Sequence, residues 1–379
     1  MDRAVTSDHS RSLNRSLANA SELLRRGQSH ESDHELPAAL AHYDEAIAAL
    51  RTQPPADCDE PRRLLSVALM NRGNALQKLA TPSPAPSEKC HLMGDTSPCT
   101  LLDTAIGSYD EAIALLRTLP FGTTPADANH LGAAWLNRGH ALLAANDSVS
   151  AADSFEQAIA ILRYLPLDEN PAYRLNLAGA WTNLAHALLS APLHAFPRSY
   201  AAAQTALDLV ADLARTHAAF AEMSLRARRA LVTAVGELLV IAETSGQPTD
   251  ALATAASDVI DDGLALAREW ETRGAIQLRP LALRLFRLGA QLYRVHQPHF
   301  LAEFLLENLD STPSRGTLAT HPELHAIATQ ALAFACADLQ RPRLFVADTP
   351  DAEKLLATFR SLRAAQLHLS ALSQSSGPL

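Results

Sequence analysis

The chain has 379 residues, 47% hydrophobic and 19% charged, which supplies a large core and excludes a disordered chain. Aromatics reach only 5%, so alanine and leucine must fill that core, and both favour helix over strand. A formal charge of −9 with no strong basic run argues against nucleic acid as a partner; among 32 basic residues only Lys78, Lys89 and Lys354 are lysine. Four cysteines (Cys58, Cys90, Cys99, Cys336) in so long a chain do not make a disulfide scaffold. The N-terminus has no apolar signal-type run, and no stretch of about 18 apolar residues occurs, so no membrane insertion is expected. The expectation is a cytoplasmic protein.

In chain order, residues 1–10 are expected to be a disordered N-terminus, and a repeat begins after them. Three segments align without gaps: YDEAIAALRT at 43–52, YDEAIALLRT at 109–118 and FEQAIAILRY at 155–164. Three more align equally well: ALMNRGNAL at 68–76, AWLNRGHAL at 134–142 and AWTNLAHAL at 180–188. From Tyr43 to Ala68, Tyr109 to Ala134 and Phe155 to Ala180 the offset is 25 residues each time. Both motifs carry helical periodicity, as Tyr109, Ile113 and Leu116 illustrate. Proline pairs such as Pro120 and Pro125, Pro166 and Pro171, and Pro192 and Pro197 bracket short turns. The repeating unit is a helix hairpin.

These residues resemble the tetratricopeptide repeat family. Trp135, Gly139, Ala151, Phe155 and Ala158 stand at that family's offsets, with Arg138 in a usual leucine place and Leu142 in a tyrosine place. Gly73 with Leu69, and Ala185 with Trp181, repeat the first-helix signature, and Asn14-Arg15-Ser16 looks like a degenerate first copy. The period is long: Asn137 to Asn183 is 46 residues, and Asn71 to Asn137 is 66, the excess lying in a proline-rich loop insert at 81–100. Repeats are expected over 11–200, a degenerate helical region over 201–372 and a disordered tail at 373–379. Helices are expected at 198–217, 219–244, 249–273, 278–296, 299–309, 322–340 and 350–372. Gly289, with Leu285 four before it, gives a faint late copy. The resemblance implies an all-α, right-handed superhelical solenoid whose first helices line a concave groove.

Two residues before each small-residue position stands Asn14, Asn71, Asn137 or Asn183, with Arg287 in the equivalent late place. The resemblance implies that such asparagines face the groove and grip a peptide backbone, since an amide offers both a donor and an acceptor. Three residues further along come Leu17, Asn74, His140 and His186; Leu136 and Thr182 complete the expected groove lining. The family's carboxylate clamp is not matched, because its places hold Met70, Asn74, Gly179 and Asn183. Arg15, Arg72 and Arg138 are expected to bury their stems and surface their heads. Arg284, Arg287, Gln291 and Arg294 share one helix face and are read as a solvated face, with recruitment of a phosphate or acidic segment as the alternative.

Cys90, His91, Asp95 and Cys99 fit no standard zinc spacing, so neither metal nor cofactor is expected. The hydrolase and nucleotide signatures are absent. Residues 258–263, DVIDDG, resemble the diphosphate-binding motif of helical prenyl-chain enzymes, which need a second acidic motif that is not evident in the sequence. The expected function is a non-catalytic scaffold taking a partner's peptide segment or helix in the groove. A ligand- or peptide-sensing regulatory domain and, less favoured, an all-helical enzyme using the 258–262 acids are the alternatives.

Overall fold

Alanine-rich amphipathic segments separated by proline make a chain of helices. The computed structural model describes residues 2–52, 59–81, 97–119, 124–296, 298–309, 322–339, 360–362 and 364–365. The described residues are all-α, and the chain divides into two compact units, 1–194 and 195–379.

The first unit holds α1 (Asp2–Ser32), α2 (Leu36–Arg51), α3 (Glu60–Ala80), α4 (Pro98–Arg117), α5 (Pro125–Ala144), α6 (Ser148–Leu162) and α7 (Pro171–Leu189). Helix α1 starts at Asp2, inside the 1–10 segment expected to be disordered. Proline occupies the first turn of α2, α3, α4, α5 and α7, where its missing N–H costs nothing. Side chains close the next orphan donors: Ser97, Thr124, Asp147 and Asn170 accept from the first turns of α4, α5, α6 and α7. Asn146, at φ 64, makes the tight turn between α5 and α6.

Successive helices pack as hairpins α1–α2, α3–α4 and α5–α6, and each hairpin also packs its first helix on the next first helix. The packing is small against large. A Cβ on Gly73 would sit 2.6 Å from the Tyr109 ring, and one on Gly139 would sit 2.5 Å from the Phe155 ring. Tyr43, Tyr109 and Phe155 are fully buried by these approaches. Leu24, Leu40, Leu69, Leu76 and a run of alanines join Tyr43 and Tyr109 in one core running from α1 to α5. Burying each ring contributes about 1.5–3 kcal/mol. This is a tetratricopeptide-like helical repeat.

The second unit holds α8 (Phe196–Val210), α9 (Ala218–Thr244), α10 (Asp250–Thr272), α11 (Arg279–His296), α12 (Pro298–Leu309) and α13 (Pro322–Leu339). These bounds follow the expected helices closely except at α8, which stops at Val210 rather than 217. The expected helix 350–372 lies mostly outside the described residues. Gly289 on α11 repeats the small-to-large contact: a Cβ there would meet the Phe304 ring at 2.7 Å. Phe304 stacks on both Phe286 and Tyr293, with centroids 5.3 and 4.5 Å apart. Helix α11 packs on α9, α10, α12 and α13.

Candidate functional site

The glycine contacts fix the register of the repeat. Gly27 closes on Tyr43 as Gly139 closes on Phe155, with 16 residues between glycine and ring in both cases. The first copy is therefore Arg25-Arg26-Gly27, not Asn14-Arg15-Ser16. Asn14 lies three turns earlier on the 31-residue α1 and is exposed, so it is not the first rung of an asparagine series. Arg25 holds the corresponding place and pairs with Glu22.

At about 100° per residue, an asparagine two positions before the glycine stands about 160° around the helix from it. Asn71, Asn137 and Asn183 thus sit on the helix side opposite the one that receives the ring. Asn71 and Asn137 are half-buried and Asn183 is buried. Seven residues earlier on the same stripes stand His130 on α5 and Asn176 on α7. Asn176 Nδ2 donates to Asn129 Oδ1 at 2.9 Å, joining α7 to α5. Two atoms on these stripes, Asn71 Nδ2 and His130 Nδ1, are buried without a hydrogen-bond partner among the described residues. Such groups are costly unless something satisfies them. The seven-residue spacing from Asn137 and Asn183 marks His130 and Asn176 in the sequence, whereas no repeat motif marks Asn129.

The other expected groove residues are engaged inside the repeat. Asn74 Oδ1 accepts the Tyr109 hydroxyl at 2.8 Å, and His140 meets the Phe155 ring edge-on at 5.7 Å. Leu136 and Thr182 are buried, and the Thr182 hydroxyl donates to its own helix at Ala178 O. His186 is half-buried in the last turn of α7. Leu17 is half-buried on α1, away from the corrected register.

Arg72 and Arg138 do not simply surface their heads. Arg138 Nε donates to Asp110 on α4 at 2.7 Å, and its other nitrogen donates to Ser154 on α6 at 2.7 Å. Arg72 makes the same pair of bonds to Asp44 and Ser108, at 2.6 and 2.8 Å. Arg15 is exposed. Arg63 on α3 forks onto Asp127 of α5 with two bonds of 2.9 Å, and this pairing holds the Asp127 carboxyl below the usual carboxylate range.

In the second unit, a cavity of about 310 Å³ is lined by Asp258 and Asp261 on α10, Glu303 and Glu307 on α12, and Tyr293. The facing acidic pair that the sequence did not reveal is thus Glu303 and Glu307. Burial pushes the Asp261 carboxyl up, opposed by a 3.2 Å hydrogen bond from the Tyr293 hydroxyl. Tyr293 is pushed up to about 12 by burial. Among the described residues no group of three His, Cys, Asp or Glu is arranged to hold a metal ion. Cys90, His91 and Asp95 lie outside the described residues, and Cys99 is exposed on α4. No described helix is long and apolar enough to cross a membrane.

No protein-family model and no curated protein matches the sequence. Solved structures do resemble it. The apo form of RapI is 13% identical over 93% of this chain and 99% of its own, with a TM-score of 0.43. A Rap protein complexed with competence and sporulation factor is 15% identical over 93% and 76%, with a TM-score of 0.39. The nuclear import adaptor Nro1 of S. pombe is 14% identical over 91% and 99%, with a TM-score of 0.37.

Proposed function

We propose that the chain is a non-catalytic interaction scaffold that takes an extended peptide segment of a partner along the face made by α3, α5 and α7. Asn71, Asn137 and Asn183 hold the peptide backbone there, each offering a donor and an acceptor to a peptide group. His130 and His186 border the same face and set side-chain preference.

The observation that carries this reading is the buried, partnerless Asn71 Nδ2, joined by His130 Nδ1 on the neighbouring first helix. A buried amide N–H without an acceptor is costly, and a peptide carbonyl supplies the acceptor that Asn71 Nδ2 lacks among the described residues.

The test is affinity capture from the native host's lysate with mass spectrometry. Wild type is run beside a variant carrying Asn71→Ala, Asn137→Ala and Asn183→Ala, shown by circular dichroism to be folded. A protein enriched by wild type and lost from the variant supports the reading. Equal enrichment on both removes the asparagines from the site, and no enriched protein removes the scaffold.

A further inference from the structure

The second unit carries a charge pattern that the asparagine face does not use. On α11, Arg284, Arg287, Gln291 and Arg294 follow one another at three- and four-residue steps, so they form one stripe. Arg287 stands two residues before Gly289, the place held by Asn71 and Asn137 in the first unit. Between α11 and its neighbour α13 lies a cavity of about 250 Å³. Arg287, Gln291, Arg294 and Gln330 form its polar wall, and Ala290 and Ile327 its apolar floor.

Helix α9 also packs on α11 and carries a further arginine beside Arg284. Arg229 there is half-buried, and it is held below the ordinary arginine range first by burial and then by the charges of Arg284 and Arg226. Like charges gathered across two helices raise the local potential and favour an anion. The site already receives one carboxylate at its rim: Arg287 donates to Glu323 of α13 at 2.8 Å. Both partners of that pair are exposed, at 61% and 47%, so the pair contributes little to the fold and an incoming carboxylate exchanges with Glu323 at small cost.

We propose that the α11–α13 cavity is a docking site for an acidic peptide segment of a partner protein. Arg287 and Arg294 take the carboxylates, Gln291 and Gln330 take the peptide groups, and the floor takes the aliphatic stems. Nucleic acid is the poorer occupant. Its phosphates need an extended basic track, which a cavity of about 250 Å³ with two arginines in its wall does not supply. The inference is independent of the asparagine face, because the two sets of residues do not overlap.

The experiment is fluorescence anisotropy of a fluorescein-labelled hexaglutamate peptide titrated with the full chain at low salt. Saturable binding is expected, weakened about tenfold by Arg287→Gln with Arg294→Gln, since each removes a solvent-exposed ion pair with the probe. Glu323→Gln is expected to tighten binding by removing the internal competitor. The Asn71, Asn137 and Asn183 triple variant is expected to bind the probe unchanged, which separates this site from the one proposed above. Circular dichroism checks the fold of each variant. The proposal is overturned by an absence of saturable binding or by equal binding to the folded arginine variant. It is also overturned if a single-stranded DNA hexanucleotide competes as well as unlabelled hexaglutamate.

Discussion

Arg138 on α5 donates to Asp110 on α4 across 28 residues of chain, the separation at which Arg72 on α3 donates to Asp44 on α2. Each arginine also reaches forward to a serine of its own hairpin, Ser154 or Ser108. One side chain thus ties the second helix of one hairpin to both helices of the next. In a repeat array, stability is a sum of unit terms and nearest-neighbour terms, and this arginine belongs to the neighbour term. It also lies 5.5 Å from the ring centroid of Trp135.

Arg138→Ala is expected to cost about 1–2 kcal/mol, combining a partly exposed ion pair with lost packing on Trp135. Asp110→Ala removes only the exposed partner and is expected to cost under about 1 kcal/mol. Hydrogen exchange read by mass spectrometry is the check. Faster exchange confined to α4, α5 and α6 fits an inter-hairpin tie, whereas unchanged exchange in all three assigns the arginine no such role.

Two glycines should respond in opposite senses to the same substitution. Gly139→Ala gains helix propensity of about 1 kcal/mol but drives a methyl to 2.5 Å from the Phe155 ring. Overpacking of that kind costs about 1–3 kcal/mol, so net destabilisation is expected. Combining it with Phe155→Leu should recover part of the loss. Gly107 on α4 is exposed, with nothing within 4 Å of an added Cβ, so Gly107→Ala should stabilise by up to about 1 kcal/mol. Thermal unfolding of both variants settles the signs, and a stabilised Gly139→Ala would mean the ring moves freely.

Tyr109 and Phe155 hold equivalent places, and the hydroxyl is what separates them. Tyr109 donates to Asn74 at 2.8 Å, and its side chain is otherwise buried. Tyr109→Phe is expected to cost about 1 kcal/mol, because Asn74 then loses its partner. Denaturant unfolding measures this, and a midpoint equal to wild type would show that water replaces the hydroxyl.

The repeats are legible in the sequence because their two motifs keep a fixed offset, and a hairpin fold is the economical way to satisfy it. The first copy is misread because α1 runs 31 residues without a break and Arg25-Arg26-Gly27 lacks the asparagine that marks later copies. The arginine tie was present as a pattern: the NRG of 71–73 and of 137–139 each follows a YDEA, whereas NLA at 183–185 follows FEQA. Reading it requires knowing that consecutive hairpins touch at those two places, which is tertiary information. The same holds for Glu303 and Glu307, whose approach to Asp258 and Asp261 depends on how α12 packs against α11. His130 shares a stripe with Asn137 by arithmetic alone, yet only burial reveals that its Nδ1 lacks a partner.

Stability of the first unit should fall in acid through the Arg63–Asp127 fork between α3 and α5. The Asp127 carboxyl is held low first by Arg63 and then by Thr124, with burial opposing both. A carboxyl depressed in the folded state contributes stability above its unfolded value, near 3.9, and loses it as pH falls through the folded value. Asp127→Asn is therefore expected to destabilise by about 1 kcal/mol at pH 7, a figure kept small because the Arg63 side chain is 30% exposed. Below the depressed folded value the variant and wild type should converge, since both then carry a neutral side chain at this place. Urea unfolding at neutral and strongly acidic pH measures the difference. A gap that persists undiminished in acid would assign Asp127 a packing role in place of the charged one.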